Sequence, residues 1–330
     1  MTNRFRAYRI NDEGGKIVAR FQDLNLDDLT EGNVVVRVSH STINFKDALA
    51  ATGSGKILRR YPLNGGIDLA GVVVSSDDDE FPAGTEVLVN GCGLSETVDG
   101  GYSEYARLDS KSLVPVPEGM SAFETMQIGT AGYTAALAIH RMEQNGQTPD
   151  GGPIVVTGAT GGVGSIAIDM LSGLGYEVVA LTGKASEEAY LRAIGANRIL
   201  LRNKIDLGKR PMEKAEWGGA IDNLGGDYLT WLTRTVNYGG NIASIGLAAS
   251  AALNTTVLPF ILRAVCLLGI NSVDTPRELR RAVWARIGSD LKPRHLDTIG
   301  HRTIAFEDLP DAFQAFIDGT VAGRVVVKIP

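Results

Sequence analysis

Two patterns of apolar residues divide this chain. Up to about residue 125 the apolar runs are short, as at 34–38, 69–74 and 85–89, and turns rich in glycine, proline and aspartate separate them. Runs with this spacing predict a small, mainly β domain of the barrel type. From about 126 to 296, runs of strand type alternate with helical patterns, which predicts a doubly wound parallel sheet.

A further run of strand type, 324–329, stands at the end of the chain. Because the backbone groups of a single strand need partners, we expect this run to pair with the N-terminal β domain. Residues 1–125 and 297–330 would then form one domain, and 126–296 a second domain inserted into it. An edge position on the central sheet is the alternative.

The clearest chemical motif opens the central region. An apolar run of strand type leads into Gly158, Gly161 and Gly164, with Gly162 and Val163 between them, and apolar residues at helical spacing follow. A strand, glycine turn and helix in this order bring bare backbone N–H groups and a helix N-terminus to a pyrophosphate. We therefore expect these five residues to bind a dinucleotide.

The next predicted strand, 176–182, indicates which dinucleotide. A protein that binds NAD carries an acid near this point to hold the ribose 2′-hydroxyl. This chain has Thr182, Gly183 and Lys184 instead. A lysine attracts a 2′-phosphate that a carboxylate would repel, so the pattern favours NADP(H), with Thr182 and Lys184 as cofactor-binding residues. The alternative is that Lys184 is a solvated loop residue and Thr182 only ends the strand.

Composition narrows the class of protein. A length of 330 residues with 44% hydrophobic residues and 40 glycines is typical of an α/β enzyme of two domains. The net charge of −6 argues against nucleic acid and gives no reason to expect a membrane partner. Cys92 and Cys266 form neither a metal pair nor a disulfide framework, which favours the cytoplasm. We see no signal peptide and no run of the roughly 20 apolar residues that a membrane helix needs.

The order of β domain, glycine-turn sheet and returning strand resembles the medium-chain dehydrogenase/reductase superfamily over nearly the whole chain. The resemblance implies an α/β protein with a GroES-like β-barrel domain and a Rossmann domain inserted before the C-terminal segment. In the zinc-dependent members a cysteine and the histidine of a Gly-His-Glu motif bind the metal; Asn44 and Ile67 stand there in this chain. Neither side chain is a zinc ligand. The chain is thus similar to the zinc-free quinone oxidoreductases and enoyl reductases, and we expect no metal.

Three segments, 41–50, 128–135 and 259–263, resemble the NADPH-dependent acrylyl-CoA reductase branch. That resemblance implies reduction of the C=C bond of short 2-enoyl-CoA thioesters, such as acrylyl-CoA to propanoyl-CoA, by hydride transfer. The alternatives are an NADPH-dependent reductase of quinones or of free α,β-unsaturated carbonyls and, from another class, a non-catalytic protein that binds the cofactor. The superfamily resemblance further implies a homodimer, formed through the strand edge at 265–272.

Without a metal, hydrogen-bond donors must stabilise the charge that develops on the substrate carbonyl. By resemblance, Asn44 lies beside the nicotinamide and can donate from its amide; a turn asparagine is the alternative. Asp47 could orient Asn44 or Lys46, relay a proton, or cap the helix that follows. Tyr61 lies near the position of a tyrosine proton donor in related enoyl reductases, with ordinary core packing as the competing account.

Further cofactor-binding candidates stand where predicted strands or helices begin or end, because the cofactor of a doubly wound sheet lies at the carboxyl ends of its strands. For each, a simple strand-end turn or helix cap is the competing account. These residues are Thr130, Asn223, Gly246, Leu247, Asn271 and Ser272. Arg324 is a further cofactor-binding candidate because a cation attracts phosphate groups, with a solvated charged face as the alternative.

Cations follow the Asn44 segment closely. Lys56, Arg59 and Arg60 are clustered in a chain whose net charge is negative, and Arg263 is a further candidate. The 3′-phosphate and pyrophosphate of coenzyme A would be attracted by such a cluster. We therefore expect these four residues to bind substrate; a solvated charged face is the alternative.

Overall fold

The computed structural model describes residues 4–330, which divide into two units. The terminal unit consists of residues 4–130, Ser272–Gly288 and Gly300–Pro330. The central unit consists of Ala131–Asn271 and Ser289–Ile299. The main difference from the domain limits expected from the sequence is that Ser272–Gly288 groups with the terminal unit. Those limits stay a prediction about which segments fold as domains.

The strands are numbered in chain order. They are β1 (Phe5–Glu13), β2 (Lys16–Leu24), β3 (Val34–Thr42), β4 (Leu63–Asn64), β5 (Asp68–Ser76), β6 (Glu86–Asn90), β7 (Tyr105–Leu108), β8 (Val114–Pro115), β9 (Ile154–Thr157), β10 (Val178–Thr182), β11 (Arg198–Leu201), β12 (Trp217–Asp222), β13 (Val236–Ser244), β14 (Cys266–Gly269), β15 (Arg302–Ala305) and β16 (Val325–Lys328).

The α-helices are numbered in the same way. They are α1 (Phe45–Thr52), α2 (Ala122–Gln144), α3 (Gly162–Gly173), α4 (Glu188–Ala193), α5 (Gly226–Thr235), α6 (Leu258–Arg263), α7 (Arg277–Ile287), α8 (Leu296–Ile299) and α9 (Leu309–Ile317). In the part of the chain that the structure describes, no helix has both the length and the apolar character required to cross a bilayer.

The terminal unit is built on two β-sheets. One has the strand order β15-β16-β3-β5-β6-β8, with β7 also paired to β3, and the other has the order β2-β1-β4. Alternate residues of β3, namely Val34, Val36 and Val38, are buried in the core, as expected for a strand with one apolar face. The C-terminal strand pairs as expected: β16 runs antiparallel to β3, with Val326 opposite Thr42.

The central unit contains a six-stranded parallel sheet with the order β11-β10-β9-β12-β13-β14. All four residues of β9 are buried, because helices of a doubly wound fold cover both faces of the central strands. The strand order reverses at β9, between β10 and β12, and ligands of such sheets bind at the carboxyl ends of the strands beside this reversal. The predicted α/β class and doubly wound sheet are therefore confirmed.

Candidate active site

The glycine turn after β9 has the geometry that the sequence predicts. Gly158 has a φ of +59°, a conformation that favours glycine, and Gly161 is the N-cap residue of α3 without a side-chain cap. A Cβ on Gly164 would lie 2.5 Å from the carbonyl oxygen of Gly158, so only glycine lets the helix approach the turn this closely. Gly162 and Val163 open the helix, where backbone N–H groups have no intrahelical acceptor. The turn can therefore hold an anion.

Hydrogen bonds tie together the ends of the two central strands. Thr157 Oγ1 donates to Asp222 Oδ1 at 2.7 Å and accepts from the Asn223 backbone N–H at 2.9 Å. Asn223 Nδ2 donates to the Thr157 carbonyl oxygen at 2.7 Å. Burial raises the pKa of the Asp222 carboxyl. Asn223 thus has a structural role at the strand ends, and its role in cofactor binding stays a prediction.

Two cations stand at the ends of β10 and β11. Thr182 is buried, and its Oγ1 accepts from the backbone N–H of Lys184 at 3.0 Å. Gly183 lies directly against Arg202, a residue that the sequence did not single out. A Cβ at position 183 would lie 2.7 Å from Arg202 Nη2. The exposed Arg202 and the half-buried Lys184 therefore flank a glycine, with no carboxylate in the Thr182–Lys184 segment. This arrangement suits a phosphate on the ribose.

The remaining strand-end candidates differ in their surroundings. Gly246 follows β13, and its backbone N–H donates to the Asp222 carbonyl oxygen at 3.2 Å. Leu247 exposes 67% of its surface, which is unusual for a leucine. Asn271 is exposed in the central unit. Ser272 belongs to the terminal unit, where its carbonyl oxygen accepts from Arg280 Nη2 at 3.1 Å.

The terminal unit contains a buried polar network centred on Asn44. This residue is the N-cap of α1. Its Nδ2 donates to Asp47 Oδ2 at 3.1 Å and to Asp68 Oδ2 at 2.7 Å, and its Oδ1 accepts from Arg324 Nη1 at 3.0 Å. Both amide hydrogens are therefore used inside the protein. Donation from Asn44 to a substrate stays a prediction, and it would require one of these bonds to break.

Asp68 joins the segments that meet in the network. Its carboxylate accepts from Asn90 Nδ2 at 2.7 Å, from the Thr130 backbone N–H at 3.0 Å and from Thr130 Oγ1 at 2.6 Å. Thr130 resumes α2 directly after a break in that helix, so the carboxylate supplies an acceptor for the backbone N–H of Thr130. Asp68 is fully buried. Breaking this constellation would leave several buried donors unpaired.

Arg324 lies within the same network. Its Nη2 donates to Thr42 Oγ1 at 2.8 Å and stands 3.9 Å from Asp68 Oδ2, and its Nε donates to the Gln127 carbonyl oxygen at 3.2 Å. The residue is 2% exposed. The guanidinium therefore balances buried carboxylates, and cofactor binding by Arg324 stays a prediction.

Gly129 makes room for this packing. It interrupts α2 with a φ of +53°, and a Cβ there would collide with the guanidinium of Arg324 and would lie 2.9 Å from Asp68 Oδ2. Both the backbone conformation and the close approach require glycine.

Asp47 is not the N-cap of α1 but its third helical residue, and its side chain caps the helix start by accepting from the backbone of the N-cap, as in a capping box. Its Oδ2 accepts from the backbone N–H of Asn44 at 2.8 Å, and its Oδ1 accepts from that of Ile67 at 2.9 Å. Burial raises the pKa of the Asp47 carboxyl to about 7; the bonds from Asn44 and Ile67 oppose this effect, and the charge of Asp68 adds to it. With Asp68 and Arg324 nearby, a proton on Asp47 makes the buried charges of the three groups sum to zero.

Two tyrosines contrast in their relation to the network. Tyr61 is half-buried against an apolar cluster that includes Ile10 and Leu58. Tyr102 is fully buried, and its hydroxyl donates to the Thr42 carbonyl oxygen at 3.1 Å. Burial, with the nearby acids, holds the pKa of Tyr102 well above its usual value. Tyr61 as a proton donor stays a prediction that the described contacts do not support.

The predicted substrate cations separate into three environments. Lys56 and Arg59 line an open pocket of about 430 Å³ in the terminal unit, together with Lys46 and Glu96. Arg60 is exposed but does not line it. Arg263, in the central unit, donates from Nη1 to the Arg234 carbonyl oxygen at 2.7 Å and from Nη2 to the Glu213 carbonyl oxygen. Arg263 is thus engaged with backbone, and substrate binding by it stays a prediction.

Two domain families match the chain. The alcohol dehydrogenase GroES-like domain matches residues 30–118, and the zinc-binding dehydrogenase domain matches residues 162–288. The chain belongs to the medium-chain dehydrogenase/reductase superfamily. The resemblance seen in the sequence, including the GroES-like and Rossmann domains, is therefore confirmed.

Superfamily members similar to this chain cover almost all of it. A protein of Escherichia coli (strain K12) named "Probable acrylyl-CoA reductase AcuI" is 45% identical over 98% of this chain and 99% of its own length. The yhdH oxidoreductase of Salmonella enterica, solved in complex with NADP, is 45% identical with a TM-score of 0.95 and covers 98% of this chain and 100% of that one. The yhfP protein of Bacillus subtilis, solved with NAD bound, is 43% identical with a TM-score of 0.96 and covers 99% and 100%.

The zinc in one domain's description does not fit the residues of this chain. The side-chain amide of Asn44 is hydrogen-bonded to Asp47, Asp68 and Arg324. Ile67 is apolar and 3% exposed, and only its backbone N–H reaches Asp47. Between residues 4 and 330, no group of three His, Cys, Asp or Glu side chains could hold a metal ion. The position of the metal site is thus occupied by a hydrogen-bonded network in this chain.

Several residues of these sites carried signals that the sequence analysis did not use. Asp68 is an acid at the start of an apolar strand, and it stands where the Gly-His-Glu motif has its glutamate. Arg202 follows the third strand of the central sheet, a position adjacent to the end of β10 in this topology. Tyr102 and Asn90 gave no local signal, because only the folded sheets bring them to Thr42 and Asp68.

Proposed function

We propose that the chain is an NADPH-dependent oxidoreductase that reduces the C=C bond of short 2-enoyl-CoA thioesters, converting acrylyl-CoA to propanoyl-CoA. The named acrylyl-CoA reductase, 45% identical over nearly the full length of both chains, supports the reaction. The observation that supports NADPH as the cofactor is the pair of cations, Lys184 and Arg202, beside Gly183. An NAD-binding unit would have an acid there. The NADP bound to the Salmonella relative agrees with it.

The central unit supplies the cofactor site in this proposal. Gly158, Gly161 and the first N–H groups of α3 hold the pyrophosphate, and Lys184 and Arg202 hold the 2′-phosphate by charge-assisted hydrogen bonds. The bonds between Thr157, Asp222 and Asn223 keep the strand ends in register for the nucleotide. These residues need no rearrangement, because the turn has its positive φ and close helix approach already.

NADPH held at this site would supply a hydride to the β-carbon of the enoyl thioester, and the α-carbon would take up a proton from water or from a positioned acid. Negative charge develops on the thioester oxygen during this step, so donors fixed near it lower the barrier. In the terminal unit, Asn44 and Asp47 fix the start of α1 through bonds to Asp68, Ile67 and Arg324. We assign Asn44 and Asp47 a positioning role: they hold this segment rigid and keep its buried charge balanced.

A homodimer is part of the proposal. Large apolar side chains are exposed on α6 and the segment before it, where Val257, Ile261 and Leu262 expose 65%, 68% and 59% of their surfaces. Leu267 is 36% exposed on β14, the last strand at one edge of the central sheet. Apolar surface beside an open strand edge favours association with a second copy.

The two free cysteines support a cytoplasmic location.

Initial rates with either nucleotide against three substrates test the function. We expect NADPH with acrylyl-CoA to give the highest kcat/KM, crotonyl-CoA to follow, and 1,4-benzoquinone to be slowest. NADH is included because the Bacillus subtilis relative was solved with NAD. Faster turnover of the quinone than of either thioester, or an equal preference for NADH, would contradict the proposal.

A further inference from the structure

The open pocket in the terminal unit carries an excess of positive charge. Its walls are formed by Lys46, Lys56, Ile57, Leu58, Arg59 and Glu96. Three cations and one acid leave a net charge of +2 on the lining, in a protein whose own net charge is −6. A volume of about 430 Å³ lies in the range of small-molecule sites.

The cations of this pocket differ in their partners. Lys46 Nζ donates to Glu96 Oε1 at 2.6 Å, so this pair neutralises itself. Among the described residues, Lys56 and Arg59 form no salt bridge and no side-chain hydrogen bond. By contrast, the exposed Arg20 is paired with Glu13. Two cations without acidic partners on one wall are available to an anion.

The backbone holds this wall in place. The Arg59 N–H donates to the Glu96 carbonyl oxygen at 2.8 Å, and Leu58 between the two cations is 1% exposed. The Gly55 N–H donates to the Leu49 carbonyl oxygen at 3.2 Å, which ties the segment to α1. Lys56 and Arg59 therefore stand on a fixed loop, and less conformational entropy is lost when a ligand binds than on a mobile one.

We propose that this pocket binds the phosphorylated adenosine end of a CoA thioester, an inference that rests on the function proposed above. Lys56 and Arg59 bind its 3′-phosphate and diphosphate oxygens, and the ion pair of Lys46 and Glu96 forms part of the same lining. Two free cations stabilise a bound phosphate dianion more than they stabilise a neutral quinone, so the pocket selects thioesters that carry the nucleotide. The carboxylate of Glu96 limits affinity, because it repels the phosphate.

The test compares acrylyl-CoA with the acrylyl thioester of N-acetylcysteamine, which has the same reactive group and no phosphate. We expect Lys56→Gln and Arg59→Gln each to raise KM for acrylyl-CoA roughly 5-fold and the double variant roughly 20-fold, with kcat unchanged. The truncated thioester and NADPH should keep their KM values. Arg59→Lys retains the charge and should recover most of the affinity, and Lys111→Gln, at an exposed lysine away from the pocket, is the matched control.

Two further measurements distinguish phosphate binding from a purely structural role of these residues. Glu96→Gln removes the acid and should lower KM for acrylyl-CoA, whereas a purely structural role predicts that every substitution weakens binding. CoA should bind more tightly than dephospho-CoA by calorimetry, and the difference should vanish in the double variant and shrink at high ionic strength.

The outcomes separate this inference from the function on which it rests. If neither thioester is reduced with NADPH, the proposed function fails. If both are reduced and the pocket variants leave the ratio of their kcat/KM values unchanged, only the pocket assignment fails. A rise in KM for NADPH instead of acrylyl-CoA would assign the pocket to the cofactor and overturn the inference, and equal inhibition by inorganic phosphate and CoA would reduce it to a general anion site.

Discussion

Helix α1 separates two charged regions of opposite character. Asp47 belongs to a network with Asn44, Asp68 and Arg324 in which every charged group is buried, whereas the preceding residue, Lys46, faces an open pocket with Lys56 and Arg59. A buried charge must be paired and hydrogen-bonded within the protein, because water cannot solvate it. An exposed charge loses little by being unpaired and remains available to a ligand. The comparison teaches that burial, and not residue type, decides whether a charge stabilises the fold or serves binding.

The largest effect is expected at Asp68. Asp68→Leu leaves Asn44, Asn90 and Thr130 without an acceptor and removes the buried carboxylate beside Arg324. Breaking such a buried constellation costs about 3–5 kcal/mol. Urea unfolding monitored by circular dichroism measures it. The control is Glu13→Gln, which removes an exposed pair with Arg20 and should cost less than about 1 kcal/mol. Similar losses in the two variants would remove the distinction between the regions.

The buried network should also make stability depend on pH through Asp47. Its pKa is raised from 3.8 to about 7, so between these values the folded protein binds a proton that the unfolded chain releases. The free energy of unfolding contributed by this group is therefore greatest at low pH and falls as pH rises from about 4 to 7, by up to a few kcal/mol. Asp47→Asn should abolish this part of the slope. Parallel profiles of the two proteins between pH 4.5 and 7.5 would show that Asp47 stays ionised.

A smaller loss is expected at Gly129. In Gly129→Ala the methyl group meets Arg324 and Asp68, and the residue keeps a positive φ, which together should cost about 2–4 kcal/mol. Gly14→Ala is the matched control, since Gly14 has a φ of +69° and nothing within 4 Å of a Cβ. That variant reports backbone strain alone, about 1 kcal/mol. Equal costs would mean that close packing around the network contributes nothing.

The two cations beside Gly183, the half-buried Lys184 and the exposed Arg202, should affect binding and leave stability unchanged. Lys184→Ala and Arg202→Ala should each lower kcat/KM for NADPH by roughly 10-fold, with little change for NADH, because only the 2′-phosphate contacts are lost. Lys204→Ala, at a neighbouring exposed lysine, is the control. Initial rates with both nucleotides and thermal unfolding of each variant check this. A fall in melting temperature with unchanged nucleotide preference would place these cations among the stabilising groups.

The local sequence pattern was sufficient to predict the fold of the central unit and the order of the domains along the chain. A strand, glycine turn and helix are contiguous in the chain, so residues 154–174 carry their own structural signal. The pairing of the last strand followed from the need of backbone groups for partners. The replacement of zinc ligands by Asn44 and Ile67 was visible because the resemblance aligned them position by position.

The sequence by itself determined the alternation of strands and helices, the glycine turn and the lack of an acid after β10, since these depend on neighbouring residues and on backbone conformation. Only the tertiary structure decided what Asn44, Asp68, Arg202 and Arg324 contact, because their partners are up to 282 residues away in the chain. It also decided that Arg59 lines a pocket while Arg263 bonds to backbone carbonyl oxygens. Charge is a property of a residue type, but burial and pairing depend on how distant segments pack.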